Sequence, residues 1–206
     1  MNFRQFEQLF DHKYPLSVQQ IRLQERNFAW QQLHIWEQKW RLHHLRRWRR
    51  IFPQITQYYG YQTALANTMY EPSYISLERA LRYYNLIPEW VYMITSCTSK
   101  KTQQFDTKFG TFSYRSLVPR LLFGYETQTI GDYDTIRIAT PEKALCDYIY
   151  LHPELSWVED FEEMRINILV RQEITSSERL LQYALSYPKK TQRNIQFFLD
   201  YINSTS

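Results

Sequence analysis

An α+β protein in two unequal parts is what the sequence predicts, and three observations carry that prediction. Over residues 1–55 ten Lys/Arg stand against four Asp/Glu, a balance of +6, joined by four of the five histidines. Between residues 41 and 53 the chain reads RLHHLRRWRRIFP, with five arginines and no acid. From residue 56 onward fifteen bases face seventeen acids, a balance of −2, and short β-rich runs alternate with helical ones. With 206 residues, 44% apolar and 17% aromatic, the chain has ample material for a core.

The basic part opens with Phe3, Phe6 and Phe10 at helical spacing, Leu9 beside them, which predicts a short helix ending near Tyr14-Pro15. Ser17 is placed to cap a second helix, VQQIRLQ. Asn27 is the next good cap, and Ala29, Leu33, Trp36 and Trp40 then form one apolar stripe, leaving Gln31, His34 and Gln38 on the opposite face with Ile35 nearby. Glutamine on an exposed helix face suits bidentate contact with adenine in a major groove, though polar residues there also serve plain solvation.

Leu42, Leu45, Trp48 and Phe52 are helix-spaced too, but at about 100° per residue Leu42 points away from Leu33, so the phase breaks and a basic β-hairpin fits better than one long helix. Three helices followed by a basic hairpin is the order of a winged helix-turn-helix. There the third helix enters a groove and the hairpin arginines hold phosphates. So much like charge is self-repelling without an external anion, and DNA phosphate is the expected one.

Pro53 to Gly60 reads as a linker, and TALANTMY as a helix. In EPSYISLERALRYYNLIPEWVYMITS, Ser76 is placed to cap a helix with Leu77, Ala80, Leu81 and Tyr84 inward, Asn85 suits a left-handed stop, and Pro88 forbids resumption. WVYMITSCTS is β-rich. QFDTKFGTFSYRSL gives two strands around a glycine turn, and LLFGYETQTIGDYDTIRIA two more around GDYD. ATPEKALCDYIYLHP opens a helix with Thr140 as cap, Pro141 at its first position and Glu142 near the dipole's positive end. The last fifty residues (EDFEEMRINILV, SSERLLQYALSYP, KKTQRNIQFFLDYI) read as helices.

In this order the pieces resemble the AbiEi family of type IV antitoxins. The matching stretches are Ser73-Tyr74-Ile75-Ser76-Leu77 with Ala80-Leu81, Tyr83-Tyr84, Leu86-Ile87-Pro88-Glu89, Thr95-Ser96, Phe109-Gly110, Phe123-Gly124-Tyr125, and Ile138 through Leu145 with Asp147, within residues 15 to 155. The resemblance implies an N-terminal winged helix that binds inverted repeats at its own promoter. It also implies a C-terminal domain that counters a nucleotidyltransferase toxin, as in phage defence, without a stable complex. Two positions depart from the pattern, since Trp48 stands where such wings turn on glycine and Trp40 where glycine is frequent.

Other classes remain open here. Asp132-Tyr133-Asp134 has the carboxylate spacing of a metal-dependent transferase but no Gly-Ser upstream in register, and Asp is common in turns. His43 and His44 in one strand point to opposite faces and do not share a metal; no metal or cofactor is expected, nor is the chain expected to be an enzyme. Cys97 and Cys146 read as core thiols. The alternative to DNA is a head that docks on an acidic protein, or on RNA through Arg47-Trp48-Arg49. The opening residues lack the apolar run of a signal peptide and no stretch suits a membrane span, so a cytoplasmic location with no membrane partner is expected.

The expected organisation is a winged-helix DNA-binding domain over 1–55 and an AbiEi-like domain with C-terminal helices over 56–206. Gln31, His34 and Gln38 are expected to read base edges and Arg41, Arg46, Arg47, Arg49 and Arg50 to hold phosphates.

Overall fold

The computed structural model describes residues 1–46, 49–88, 92–155, 160–161, 166–167 and 178–204. The chain is α+β, with two sheets among the described residues.

The N-terminal part runs α1 (Phe3–Glu7), β1 (Leu16–Ser17), α2 (Val18–Gln24), α3 (Gln31–Gln38), β2 (His43–Arg46) and β3 (Arg49–Ile51). Asn2 and Ser17 each close a capping box, with Gln5 and Gln20 reaching back to the cap amides, which satisfies the first orphan N–H groups of α1 and α2. The third helix starts later than Asn27 predicts, at Gln31 after a turn, so only Leu33 and Trp36 of the expected stripe are buried. Ala29 lies ahead of the helix and Trp40 beyond it, both exposed.

Trp40 stands at φ +58° just past the end of α3. Its N–H donates to Glu37 O (3.0 Å) and that of Arg41 to Trp36 O (2.9 Å), the paired bonds of a Schellman stop. An indole therefore occupies the position that glycine fills at least cost.

The phase break after α3 is real: β2 and β3 form an antiparallel hairpin, and β1 joins it in the order β1-β3-β2. The register shifts between His44 and Arg46, a bulge beside the turn. The turn itself, with Trp48 and Arg47, lies outside the described residues.

Among the described residues two apolar clusters form, and the hairpin with its flanking residues reaches into both. Leu42 and Phe52 join Phe6, Leu16, Ile21, Phe28, Leu33 and Trp36 in the smaller one. Leu45 and Ile51 join the larger one in the rest of the chain, together with Ile55. The stretch read as a linker is thus packed, as a 3-10 turn over Pro53–Gln57 with Ile55 fully buried.

The larger part follows as α4 (Tyr61–Met69), β4 (Ser73–Ile75), α5 (Leu77–Tyr83), β5 (Ile94–Thr98), β6 (Gln103–Thr107), β7 (Gly110–Ser116), β8 (Tyr125–Ile130), β9 (Tyr133–Ala139), α6 (Pro141–Leu151), α7 (Glu178–Ala184) and α8 (Lys189–Ser204). Its six strands lie in the order β6-β7-β5-β4-β9-β8. The two hairpins read from the sequence, β6-β7 and β8-β9, are antiparallel, but β5 with β7 and β4 with β9 are parallel, joining the hairpins to the centre of the sheet. Helix α5 packs on α6, and α4 on β9 and β4.

Gly131 (φ +61°) and Gly60 (φ +86°) permit the closest approach, because a Cβ on either would fall within 2.6 Å of Tyr59 O or Ile130 O. Across that contact Asp132 accepts from the Tyr59 N–H (2.6 Å) and Lys13 Nζ donates to Asp132 O (3.0 Å), while the Tyr133 hydroxyl donates to Lys13 O (3.0 Å). The Asp-Tyr-Asp turn therefore ties the first part to the second.

Ser76 does not cap α5 with its hydroxyl; Thr95 Oγ1 on β5 accepts from the Arg79 N–H (3.0 Å) instead. Asn85 takes the expected left-handed stop at φ +57°.

Candidate nucleic-acid interface

Helix α3 is held by Leu33 and Trp36, which fixes what its other side presents. Gln31, His34, Ile35 and Gln38 are exposed there, and Arg41 follows just past the helix, also exposed. His34 and Gln38 are one turn apart and bonded to each other (Nε2 to Nε2, 3.1 Å). His34 also lies 4.0 Å from Glu37. The arrangement offers amide and imidazole edges on one face, the groups that hydrogen-bond base edges.

The hairpin arginines are placed differently. Arg46 donates to Met69 O (3.2 Å) and sits over the Tyr70 and Phe105 rings at 4.6 and 4.0 Å. Arg49 pairs with Glu71 at 2.7 Å, and Arg50 pairs with Glu37 of α3. All three are half-buried and engaged inside the chain, whereas Arg41 sits over Phe3 at 5.0 Å with its charge exposed. Arg47 lies outside the described residues.

Arg46, Arg49 and Arg50 line a cleft of about 750 Å³ between the two parts of the chain. Its walls are α2 and α3 on one side and the end of α4 with Glu71 and Lys100 on the other. Arg22 and Lys100 are further cleft cations, distant in sequence from the hairpin and brought beside it only by the fold. Trp40, read from spacing as core, is 73% exposed beside this face, with Lys108 5.5 Å above its ring.

A second polar centre lies deep in the larger part. Lys143 and Asp147, one turn apart on α6 and both fully buried, are paired at 2.6 Å. Lys143 Nζ also donates to Leu121 O (2.8 Å) and to the Tyr187 hydroxyl. Asp147 accepts from Tyr187 (2.6 Å), Tyr74 (2.8 Å) and Ser76 (2.9 Å). This is where the Ser76 hydroxyl goes, and Leu77 beside it is held at φ +56°, a strained value for a bulky residue. Burial and the neighbouring Asp147 charge push the Tyr74 and Tyr187 phenols and the Cys97 thiol well up, so all three stay protonated, and burial raises the Cys146 thiol as well. A Lys and an Asp four apart inside the apolar run PEKALCDYIYL was the available signal.

Among the described residues no group of three His, Cys, Asp or Glu is gathered to hold a metal ion, and no helix is long and apolar enough to cross a membrane. No protein-family model matches the chain, and no curated protein matches it.

Proposed function

We propose that the chain is a DNA-binding transcriptional regulator of the AbiEi antitoxin type, whose residues 1–55 form a winged helix. The observation that carries this reading is the exposed row Gln31, His34 and Gln38 on α3, directly followed by Arg41 and a cationic hairpin. The order α1-β1-α2-α3-β2-β3 with sheet order β1-β3-β2 is that of winged helices, in which the third helix enters the major groove. Gln31, His34 and Gln38 read base edges. Arg41 and the hairpin arginines 46, 47, 49 and 50 supply charge for the backbone, and phosphates compete with Glu71 and Glu37 for Arg49 and Arg50.

The antitoxin role rests on the motif order of the larger part, which resembles that family over Ser73 to Asp147. In this role the chain represses its own operon at an inverted repeat and counters a nucleotidyltransferase toxin without holding it stably. The test is co-expression with a nucleotidyltransferase encoded beside it: growth is restored and the two proteins do not co-purify. Growth arrest despite soluble expression removes the antitoxin role and leaves DNA binding to be judged separately.

A further inference from the structure

We infer that the cleft between the two parts of the chain is a binding site for a small phosphorylated ligand of nucleotide size. Its volume, about 750 Å³, falls in the range of roughly 300–1,000 Å³ typical of small-molecule sites, which favour junctions of this kind. Among the described residues five cationic side chains line it, Arg22, Arg46, Arg49, Arg50 and Lys100, against two carboxylates, Glu37 and Glu71. The excess of three positive charges suits a ligand with one or two phosphate groups, each terminal phosphate carrying about −1.5 to −2 at pH 7.

Burial sharpens that preference. The side chains of Arg50 and Arg49 are only 15% and 27% exposed, so their charge is felt inside the cleft with less solvent screening than at the surface. Both are already oriented by carboxylate partners, and an entering phosphate replaces those partners with bidentate contacts instead of ordering loose side chains.

The walls also provide for a flat ring. Trp30 on one side carries Arg22 at 5.3 Å, and Tyr70 on the other carries Lys100 at 5.3 Å. A base entering between them meets an aromatic ring or a cation over one on either side. The two parts of the chain close the site together, so the ligand also bridges α3 to the body. This inference stands without the DNA reading, because the binding is measured with no DNA present.

The experiment is calorimetric titration of the full chain with ADP, with inorganic phosphate and with a single-stranded hexanucleotide at fixed ionic strength. Binding of ADP at least tenfold tighter than phosphate is expected. Arg22→Ala with Lys100→Ala, both at exposed residues, is expected to weaken it tenfold or more, and Glu71→Gln to tighten it. Heat-free titration with ADP to millimolar concentration overturns the inference. So does phosphate binding equal to ADP, hexanucleotide binding without ADP binding, or an affinity unmoved in the folded double variant.

Discussion

Arg49 on β3 and Glu71 after α4 meet at 2.7 Å, and the same carboxylate lies 3.5 Å from Arg137 on β9, so one acid clamps the hairpin against the body. Glu71 is 46% exposed, which makes the pair worth no more than about 1 kcal/mol of stability. Glu71→Gln therefore leaves the melting temperature nearly unchanged. On the proposed DNA-binding reading it frees Arg49 for phosphate, so DNA affinity is expected to rise and the slope of log K against log salt to steepen by about one contact in anisotropy titrations. An unchanged slope shows that Arg49 makes no phosphate contact.

Arg41 and Arg46 are expected to fail in different ways. Arg41→Ala removes an exposed charge, so it weakens binding uniformly across sequences and reduces the salt slope by about one with stability intact. Arg46→Ala removes the contacts to Met69 O, Tyr70 and Phe105, and is expected to cost about 1–3 kcal/mol in urea denaturation as well. Equal stability of the two variants would show that Arg46 does not hold the hairpin in place.

The Lys143–Asp147 pair predicts a non-additive pattern. Removing one partner, as in Lys143→Met, strands a buried charge and is expected to cost about 3–5 kcal/mol. The double variant Lys143→Met with Asp147→Leu is expected to cost less than the sum of its singles, since no lone charge remains. Additive losses in chemical denaturation would contradict the pairing.

Trp40→Gly relieves the left-handed indole at the end of α3 and is expected to raise stability by about 0.5–1 kcal/mol, read as a higher urea midpoint. A loss instead would mean that the ring's contacts to His43 and Lys108 outweigh the backbone strain.

His43 sets a pH dependence. Burial, with the nearby Lys108 charge as the smaller cause, holds its imidazole below the usual histidine value, favouring the neutral ring beside Phe109. The folded state thus binds the proton less readily than the unfolded chain. The contribution to stability is complete above about pH 6.5 and is lost as pH falls through the lower folded value. His43→Gln is expected to flatten the melting temperature between pH 7 and 5 relative to the parent, and an unchanged profile would assign that window to other groups.

Much of this architecture was legible because local signals and the fold agree. Ser17, Thr140, Pro141 and Asn85 act at helix ends as their chemistry dictates, and the glycine turns mark both hairpins of the large sheet. Ser76 misled because a hydroxyl that fits a cap was claimed by a buried carboxylate seventy-one residues away. Spacing also placed Trp40 on the buried stripe, since periodicity carries no mark of where a helix stops. The parallel pairings of β5 with β7 and β4 with β9 had no signature, because register between distant strands is set by the assembled core. Of the candidate interface, the exposed α3 residues and the charge were readable. The partners of Arg46, Arg49 and Arg50 were not, since Met69, Glu71 and Glu37 reach them only once hairpin, helix and body are packed.

The most direct test of DNA recognition is an electrophoretic shift of the full chain on the duplex upstream of its own coding sequence, against scrambled duplex and single-stranded RNA, at two salt concentrations. The predicted result is preferential binding to the upstream duplex, persisting at the higher salt and lost in Gln31→Ala with Gln38→Ala. Equal, salt-sensitive binding to all three nucleic acids would contradict it and reduce the arginine-rich hairpin to a general polyanion surface.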